Sequence, residues 1–258
     1  IGEINSGTYC FQRSVLVEFL DRLTPDNAQG EYYLTDVIRL LRQEGGRAGT
    51  FRAQDPDEIL GINDRVQLAL AEKIHRSRIN RYWMEQGVTM IDPDCTYIGE
   101  HVRLEPDVTI NPGVVLQGQT RVGAGTALGS GCRLSDAVVG RNCRLEQAIV
   151  LDSRLGDGCL IGPFAYIRPG CVLEDRVKIG DFVEIKKTTV GQGSKLPHHS
   201  YVGDATVGTG VNIGAGTITC NYDGVSKHQT VIEDGAFIGS NSNLVAPVHL
   251  GRRAYGAA

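Results

Sequence analysis

A six-residue repeat of large aliphatic side chains dominates the chain from about residue 98 onward. Two unbroken series carry it: Ile98, Leu104, Ile110, Leu116, Val122, Leu128 and Leu134, then Leu155, Ile161, Ile167, Leu173, Ile179 and Ile185. Four positions after each of these lies a small or β-branched residue, such as Val102 or Thr120. A period of six fits neither a helix nor a long strand. It predicts very short strands joined by turns, as in a parallel β-helix of hexapeptide repeats.

The first ninety residues lack this period and predict a different, mixed structure. We expect strands over Ile1–Phe11 and Arg47–Ala53, and helices over Ser14–Leu23, Tyr32–Gln43 and Asp64–Gln86. A complete α/β domain needs several βα units, so these elements suit only part of one. The sequence therefore predicts three parts: a partial α/β segment over 1–62, a long linking helix over 63–89, and the β-helix over 90–258.

The six-residue register slips by one residue after Leu134, after Ile185 and after Val202, which indicates turns of altered length. It breaks more widely between Ile213 and Ile232, where an insertion contains the motif NYDG. We expect this insertion to leave the β-helix as a loop. Loops on a rigid scaffold often carry function.

Composition excludes several classes of protein. The net charge of −4 argues against a nucleic-acid binder. No apolar run is long enough for a membrane span, and no signal peptide is visible. The chain starts at Ile1 without methionine and stops at Ala258, so we expect it to be part of a longer protein.

Four of the seven cysteines occupy the small inward position of the repeat: Cys132, Cys143, Cys159 and Cys171. A free thiol there behaves as a small hydrophobe. No paired CxxC spacing suggests structural zinc. We therefore expect reduced core cysteines and a cytoplasmic protein.

Lysines are concentrated in one segment. The chain has only six, and five of them lie between Lys178 and Lys227, close in sequence to Arg168 and Tyr201. Lysine and arginine both bind phosphate, so this segment predicts an anion site. A solvated surface patch is the alternative interpretation.

Two tandem histidines, His198 and His199, follow Pro197 within this segment. They could bind a metal, as histidines do across subunit interfaces in trimeric β-helix carbonic anhydrases, but that needs three ligands. The simpler hypothesis is that His198 is a general base whose ring is oriented by a carboxylate such as Glu184.

Several longer motifs carry a resemblance to a known family. The segments IGPFAYIRPG (161–170), GDFVEIKK (180–187), GSKLPHHSYVGD (193–204) and NIGAGTITCNYDG (212–224) are similar to those of the bifunctional bacterial N-acetylglucosamine-1-phosphate uridyltransferase/glucosamine-1-phosphate N-acetyltransferase. In the first part, EINSG (3–7), NAQGEYY (27–33) and GINDR (61–65) look like the end of that family's uridyltransferase domain.

The resemblance implies a left-handed β-helix that forms a homotrimer, with acetyltransferase sites at the subunit interfaces. It implies His198 as general base and Glu184 as the residue that orients it. The residues that it implies for the sugar phosphate are Arg168, Lys186, Tyr201, Asn212 and Lys227. Those that it implies for acetyl-CoA are Ala215, whose N–H would also stabilise the oxyanion, Asn221, Tyr222, Ser240 and Ala258.

The resemblance also assigns residues 1–62 to the end of the uridyltransferase domain. Asn5 matches a UDP-N-acetylglucosamine contact and Asn63 a magnesium ligand, whose companion ligand would lie upstream of Ile1. The nucleotide-binding loop would lie upstream as well, so we expect the longer parent protein, rather than this chain, to transfer uridyl from UTP. Gly256 stands where the next large apolar residue is expected, and the resemblance implies further coils and a tail that help to hold acetyl-CoA.

The function that we expect is acetyl transfer from acetyl-CoA to glucosamine 1-phosphate, which supplies UDP-N-acetylglucosamine for peptidoglycan and lipopolysaccharide. Two alternatives stay open: a metal-dependent trimer of the carbonic anhydrase type, and a non-catalytic chain that only trimerises.

Overall fold

The computed structural model describes residues 4–256. The chain divides into two compact units, Ile1–Ile74 and His75–Ala258, and the division falls inside the long helix α3 (Arg65–Glu85). Within the described residues, none of the helices combines the length and the apolar character that crossing a bilayer requires. The functional boundaries expected near residues 62 and 89 stay predictions.

The first unit is mainly helical in its described part. It contains α1 (Arg13–Leu20), α2 (Thr35–Gln43), a 3-10 turn over Pro56–Ile59 and the start of α3. Helices α1 and α2 pack on each other, and Phe19 and Val37 are their buried side chains. Outside this small core, Arg22 forms an ion pair with Glu44.

The two strands expected in the first unit are not formed in its described residues. Residues 4–11 and 47–53 have no strand, and Ile4 and Phe51 are 81% and 95% exposed. A strand is stable only when neighbouring strands take its backbone hydrogen bonds and a core takes one face. The described residues of this unit supply no partner strand and only the small core between α1 and α2, so the apolar pattern alone does not produce a sheet.

The second unit begins with the end of α3, which covers the start of a left-handed parallel β-helix. The Asn80 side chain donates to the carbonyl oxygens of Pro93 and Thr96 at 2.8 and 3.0 Å, and Trp83 is buried in the same core. A 3-10 turn over Pro93–Cys95 lies between the first two strands. These contacts close the end of the solenoid near residue 90.

Three parallel sheets form the solenoid, and each coil contributes one short strand to each sheet. Sheet 1 contains β1 (Thr89–Met90), β4 (Thr109–Ile110), β7 (Ala127–Leu128), β10 (Arg144–Leu145), β13 (Leu160–Ile161), β16 (Lys178–Asp181), β19 (Lys195–His198), β22 (Asn212–Ile213), β25 (Phe237–Ile238) and β28 (Tyr255–Gly256). Sheet 2 contains β2 (Tyr97–Ile98), β5 (Val115–Gln117), β8 (Arg133–Ser135), β11 (Ile149–Leu151), β14 (Tyr166–Ile167), β17 (Glu184–Lys186), β20 (Tyr201–Gly203), β23 (Ile218–Cys220) and β26 (Asn243–Val245). Sheet 3 contains β3 (Arg103–Leu104), β6 (Arg121–Val122), β9 (Val138–Val139), β12 (Arg154–Leu155), β15 (Val172–Leu173), β18 (Thr189–Val190), β21 (Ala205–Val207), β24 (Thr230–Ile232) and β27 (Val248–Leu250).

The core of the solenoid confirms the six-residue prediction. The large positions point inward and are buried, with Ile110, Leu116 and Leu134 fully inaccessible. The small positions fill the corners, and the four cysteines predicted there are buried and free: Cys132, Cys143, Cys159 and Cys171. Burial raises the pKa of the Cys132 thiol to about 11, which keeps it protonated and unreactive at neutral pH.

The corner between sheets 2 and 3, called corner 2–3, explains the register slips. One residue with positive φ makes each of its tight turns: Asp136 (51°), Asp152 (37°), Lys187 (45°) and Asp204 (49°). A turn built on a single left-handed residue is short, so the hexapeptide loses one position there. The insertion leaves from this same corner, between β23 and β24, as expected.

Candidate functional site

The predicted base lies at the corner between sheets 1 and 2, called corner 1–2. His198 ends β19 and Asp181 ends β16 one coil earlier, and the two residues are Cα partners in the parallel register. His198 Nδ1 lies 2.5 Å from Asp181 Oδ1. This hydrogen bond lowers the pKa of the Asp181 carboxyl below its usual value. The His198 side chain is 55% exposed, so its ring is accessible from solvent.

His199 has a different environment from His198. Its ring stacks on Phe182 with centroids 4.9 Å apart, and Phe182 stacks in turn on Phe164 at 5.2 Å. Its backbone N–H donates to the Asp181 carbonyl at 2.9 Å, and its carbonyl accepts the Gly216 N–H at 2.9 Å. His199 is therefore packed into a ladder of corner residues.

On the outer face of sheet 2, Arg168 and Glu184 form an ion pair. Arg168 Nη1 donates to Glu184 Oε1 at 2.8 Å, and this bond raises the pKa of Arg168. Tyr201 is the Cα partner of Glu184 on the next strand. The carboxylate that contacts His198 in this chain is thus Asp181, while the Glu184 carboxylate is engaged by Arg168.

Corner 2–3 carries a cluster of polar side chains around Asp204. Asp204 Oδ2 accepts the Asn221 side-chain amide at 2.5 Å and lies 3.5 Å from Lys186 Nζ. The same Asn221 amide lies 3.5 Å from the Tyr201 hydroxyl. The direct contact of the Lys227 ammonium group with Lys186, together with their like charge, lowers the pKa of Lys227. Two ammonium groups beside one carboxylate leave this corner with an excess of positive charge, which favours an anionic ligand.

The insertion loop over 221–229 is held by its own hydrogen bonds. Asp223 Oδ1 accepts the backbone N–H groups of Val225 and Ser226 at 2.8 and 2.6 Å. Asp223 Oδ2 lies 2.6 Å from His228 Nε2. Tyr222 is 59% exposed, and its hydroxyl donates to the Gly224 carbonyl at 2.6 Å. The hydrogen bonds of Asp223 therefore hold the loop conformation, while the Tyr222 side chain stays exposed to solvent.

The remaining acetyl-CoA matches lie on later coils along corner 1–2. The carbonyl of Ala215 accepts the Asn241 N–H at 2.7 Å, which fixes the turn between β22 and β23. Ser240 is exposed in the equivalent turn after β25. Ala258 lies outside the described residues.

On sheet 1, Asn212 begins β22 and is the Cα partner of Lys195. Lys178 is in turn the Cα partner of Lys195 on the preceding strand. The lysine cluster seen in the sequence is therefore divided between sheet 1, which carries these two residues, and corner 2–3.

The residues matched to magnesium and UDP-N-acetylglucosamine do not fit a metal site in the described chain. The Asn5 side chain bonds the Tyr9 hydroxyl, and Asn63 is exposed, with its backbone N–H bonded to Gln67 Oε1 at 2.6 Å. Magnesium prefers six oxygen ligands in near-octahedral geometry, and the side-chain amide of Asn63 offers only one oxygen. Across residues 4–256, no three His, Cys, Asp or Glu side chains gather into a group that could hold a metal ion.

Asp181 is the polar contact that the sequence-based hypothesis missed. A signal for it existed, because the slip after Ile185 shortens the coil and brings Asp181 opposite His198. Counting back one coil with that slip included identifies Asp181 as the neighbour.

The fold and two matches to family models define the class of protein. Residues 152–187 match a model described as bacterial transferase hexapeptide (six repeats), and residues 229–255 match one described as hexapeptide repeat of succinyl-transferase. Together with the three-sheet solenoid, these matches make the chain a hexapeptide-repeat protein.

The particular family follows from its curated relatives. The chain is 57% identical over 254 residues to the bifunctional protein GlmU of Heliobacterium modesticaldum, covering 98% of this chain and 56% of that protein. It is 54% identical to the GlmU of Desulfitobacterium hafniense strain DSM 10664, covering 97% and 55%. The chain belongs to the GlmU family, and it spans about half the length of the relatives that it matches.

Among solved structures, the similarity is partial. A UDP-N-acetylglucosamine acyltransferase from Campylobacter jejuni aligns with a TM-score of 0.38 and 19% identity, covering 58% of this chain and 65% of that one. This low score carries no information about function. The curated relatives do not favour the alternative of a metal-dependent trimer.

Proposed function

We propose that this chain transfers the acetyl group of acetyl-CoA to the amine of glucosamine 1-phosphate. The product, N-acetylglucosamine 1-phosphate, is a precursor of UDP-N-acetylglucosamine. The observation that carries the proposal is the arrangement along sheet 2, which joins an exposed histidine at one corner to a lysine pair at the other. Membership of the GlmU family supports the choice of substrates.

The sugar phosphate is proposed to bind across the outer face of sheet 2. Lys186 and Lys227 would take the phosphate, because their ammonium groups lie side by side and Lys186 is 3.5 Å from the Asp204 carboxylate. Arg168 and Tyr201 flank this position, on strand ends of the same sheet. Asn212 would contact the sugar from the adjoining sheet.

His198 is proposed to act as the general base. As the amine nitrogen of the sugar attacks the thioester carbon, a C–N bond forms and His198 Nε2 takes one proton from the nitrogen. The tetrahedral oxyanion would be stabilised by the Ala215 N–H, a preorganised backbone donor. The C–S bond then breaks, the carbonyl reforms, and the proton passes to the departing sulfur to give free CoA.

Acetyl-CoA is proposed as the co-substrate, held along corner 1–2 and the insertion loop. Ala215 lies on this corner one coil beyond His198, and Ser240 lies on the same corner one coil further. The exposed Tyr222 and the neighbouring Asn221 would complete the site, with Ala258 as a further contact. The proposal places the thioester between the loop and His198.

We also propose a homotrimer with sites at the subunit interfaces. The outer face of sheet 2 exposes apolar side chains, which favours contact with another subunit: Tyr97, Ile149, Tyr166, Ile218 and Val245. Light scattering should give about three times the chain mass of 27.9 kDa. A monomer at micromolar concentration would contradict this assembly. The free core cysteines support a cytoplasmic location.

The activity is tested by mixing the chain with glucosamine 1-phosphate and acetyl-CoA, following thiol release, and determining the product mass. We expect thiol release only with the phosphorylated amino sugar, and a product heavier by one acetyl group. Glucosamine without phosphate is the matched control, because it keeps the amine and removes the group that the lysines bind. Equal thiol release with no sugar present would contradict the proposal.

A further inference from the structure

Asp181 and His198 are brought together by the register of sheet 1. They end the neighbouring parallel strands β16 and β19 and are Cα partners. Partners on adjacent strands lie about 4.8 Å apart and their side chains leave the sheet on the same side. The resulting contact joins Asp181 Oδ1 to His198 Nδ1 at 2.5 Å.

Both residues are held by the backbone around them. The Asp181 carbonyl accepts the His199 N–H at 2.9 Å, and the Ser200 hydroxyl donates to the His198 carbonyl at 2.8 Å. The stacked rings of Phe182 and His199 follow the two residues directly in sequence and fix the next position of each turn. The carboxylate and the imidazole therefore meet on a rigid corner.

An ionised carboxylate only accepts hydrogen bonds, so the imidazole nitrogen that it contacts must carry the proton. A neutral histidine with its proton on Nδ1 has its lone pair on Nε2, which is the form that a base needs. Asp181 is ionised at neutral pH, because its hydrogen bond to His198 holds its pKa below the usual range. The geometry thus selects one tautomer of His198.

We propose that Asp181 is a positioning residue that orients His198 and holds its proton on Nδ1, so that Nε2 can take the proton of the sugar amine. This inference rests on the proposed acetyl transfer. The orienting role expected for Glu184 passes to Asp181 in this proposal, since the Glu184 carboxylate is bonded to Arg168 at 2.8 Å. An aspartate that orients a catalytic histidine serves the same purpose in serine proteases.

The kinetic test uses Asp181→Asn, which keeps the shape of the side chain and removes the charge. We expect kcat to fall about 10- to 100-fold, a part of the whole contribution of a general base, while KM for both substrates is unchanged. Asp181→Glu should recover part of the loss. Glu233→Gln is the matched control, because it alters another histidine–carboxylate contact, the 2.8 Å pair with His249, on sheet 3.

A double-mutant cycle separates positioning from a merely structural role. In the His198→Ala background, Asp181→Asn should cause no further loss, because the residue acts through the imidazole. Full kcat in the single Asp181→Asn variant would overturn the proposal. So would an equal fractional loss in both backgrounds.

The tautomer itself is measured by nitrogen-15 long-range spectra of histidine-labelled protein, recorded over a pH series so that the neutral ring is observed. His198 is assigned by its absence in His198→Gln. We expect a protonated Nδ1 in the wild type and a shift towards protonated Nε2 in Asp181→Asn. A wild-type ring protonated on Nε2 would overturn the proposal, whatever the activity. A correct tautomer without acetyl transfer would instead refute the proposed reaction.

Discussion

Two corners of the same solenoid differ in how their carboxylates are mainly used. At the corner between sheets 3 and 1, called corner 3–1, several carboxylates accept a backbone N–H of a neighbouring coil, and Glu233 there accepts the Arg252 N–H as well as contacting His249. Asp175 Oδ1 accepts from Asp157 at 2.8 Å, and Asp234 Oδ1 accepts from Thr209 at 2.9 Å. At corner 1–2, the Asp181 carboxylate contacts a side chain, that of His198.

This difference shows what converts a structural corner into a candidate site. Corner 3–1 satisfies backbone donors and so joins one coil to the next. At corner 1–2 the carboxylate acts on an imidazole that is more than half exposed and can meet a ligand. The same residue type in the same repeat therefore stabilises one corner and, in our proposal, supports chemistry at the other.

The largest expected effect comes from removing the imidazole at corner 1–2. His198→Ala should lower kcat by about 10²- to 10⁴-fold, the usual contribution of a general base. The melting temperature should change little because the ring is exposed. Steady-state kinetics and a thermal melt measure both quantities. His199→Leu is the control, and an equal loss in that variant would show that the two histidines had been assigned to the wrong roles.

The lysine pair should affect binding more than turnover. Lys186→Met or Lys227→Met removes a charged hydrogen bond to the phosphate, so KM for glucosamine 1-phosphate should rise about 10- to 100-fold with a smaller change in kcat. Lys178→Met, on sheet 1, should leave KM unchanged. If all three variants behaved alike, the positive patch would be a general surface feature and no specific phosphate site.

Acid should weaken corner 3–1 through its carboxylates. The Ala124 N–H, with help from Arg141, holds the pKa of Glu105 below its usual value. Such a group stabilises the folded state above its unfolded pKa, about 4.3, and the stabilisation is lost as the pH falls through the folded value. Melting temperatures from pH 7 to pH 3 should fall more steeply for the wild type than for Glu105→Gln. Parallel curves would mean that this contact contributes nothing.

The smallest expected effect concerns how readily a thiol reagent reaches the cysteines in the core of the solenoid. Of the seven cysteines, Cys132, Cys143, Cys159 and Cys171 are buried, whereas Cys10, Cys95 and Cys220 are at least partly exposed. A thiol reagent should modify the three accessible groups in native protein and all seven after denaturation. Rapid modification of more than three would show that the core opens readily.

The sequence predicted the solenoid because the constraint is local and repeated. Each inward position, such as Ile110 or Leu134, must be apolar in every coil. The large aliphatic residues therefore recur every six positions, and this spacing is visible in the sequence. The strands expected over 1–11 and 47–53 did not form in the described residues, since an apolar run cannot supply its own pairing partners.

The candidate site was predicted only in part, for a related reason. His198 and the lysines stand out by residue type, whereas Asp181 becomes significant only once the register places it beside His198. Likewise, nothing local in the sequence indicates that Arg168 engages Glu184, one coil away. Which side chains meet between neighbouring coils depends on the register of the strands, and each shortened turn changes that register.

The most direct test of the comparison measures kcat and melting temperature in two matched variants, Asp181→Ala and Asp175→Ala. We expect Asp181→Ala to lose at least about 10-fold in kcat with an unchanged melting temperature. Asp175→Ala should keep wild-type kcat and melt on the order of 2 °C lower, the effect of one lost hydrogen bond. If both variants lost stability and neither lost turnover, the two corners would be equivalent, and corner 1–2 would have no special part in the reaction.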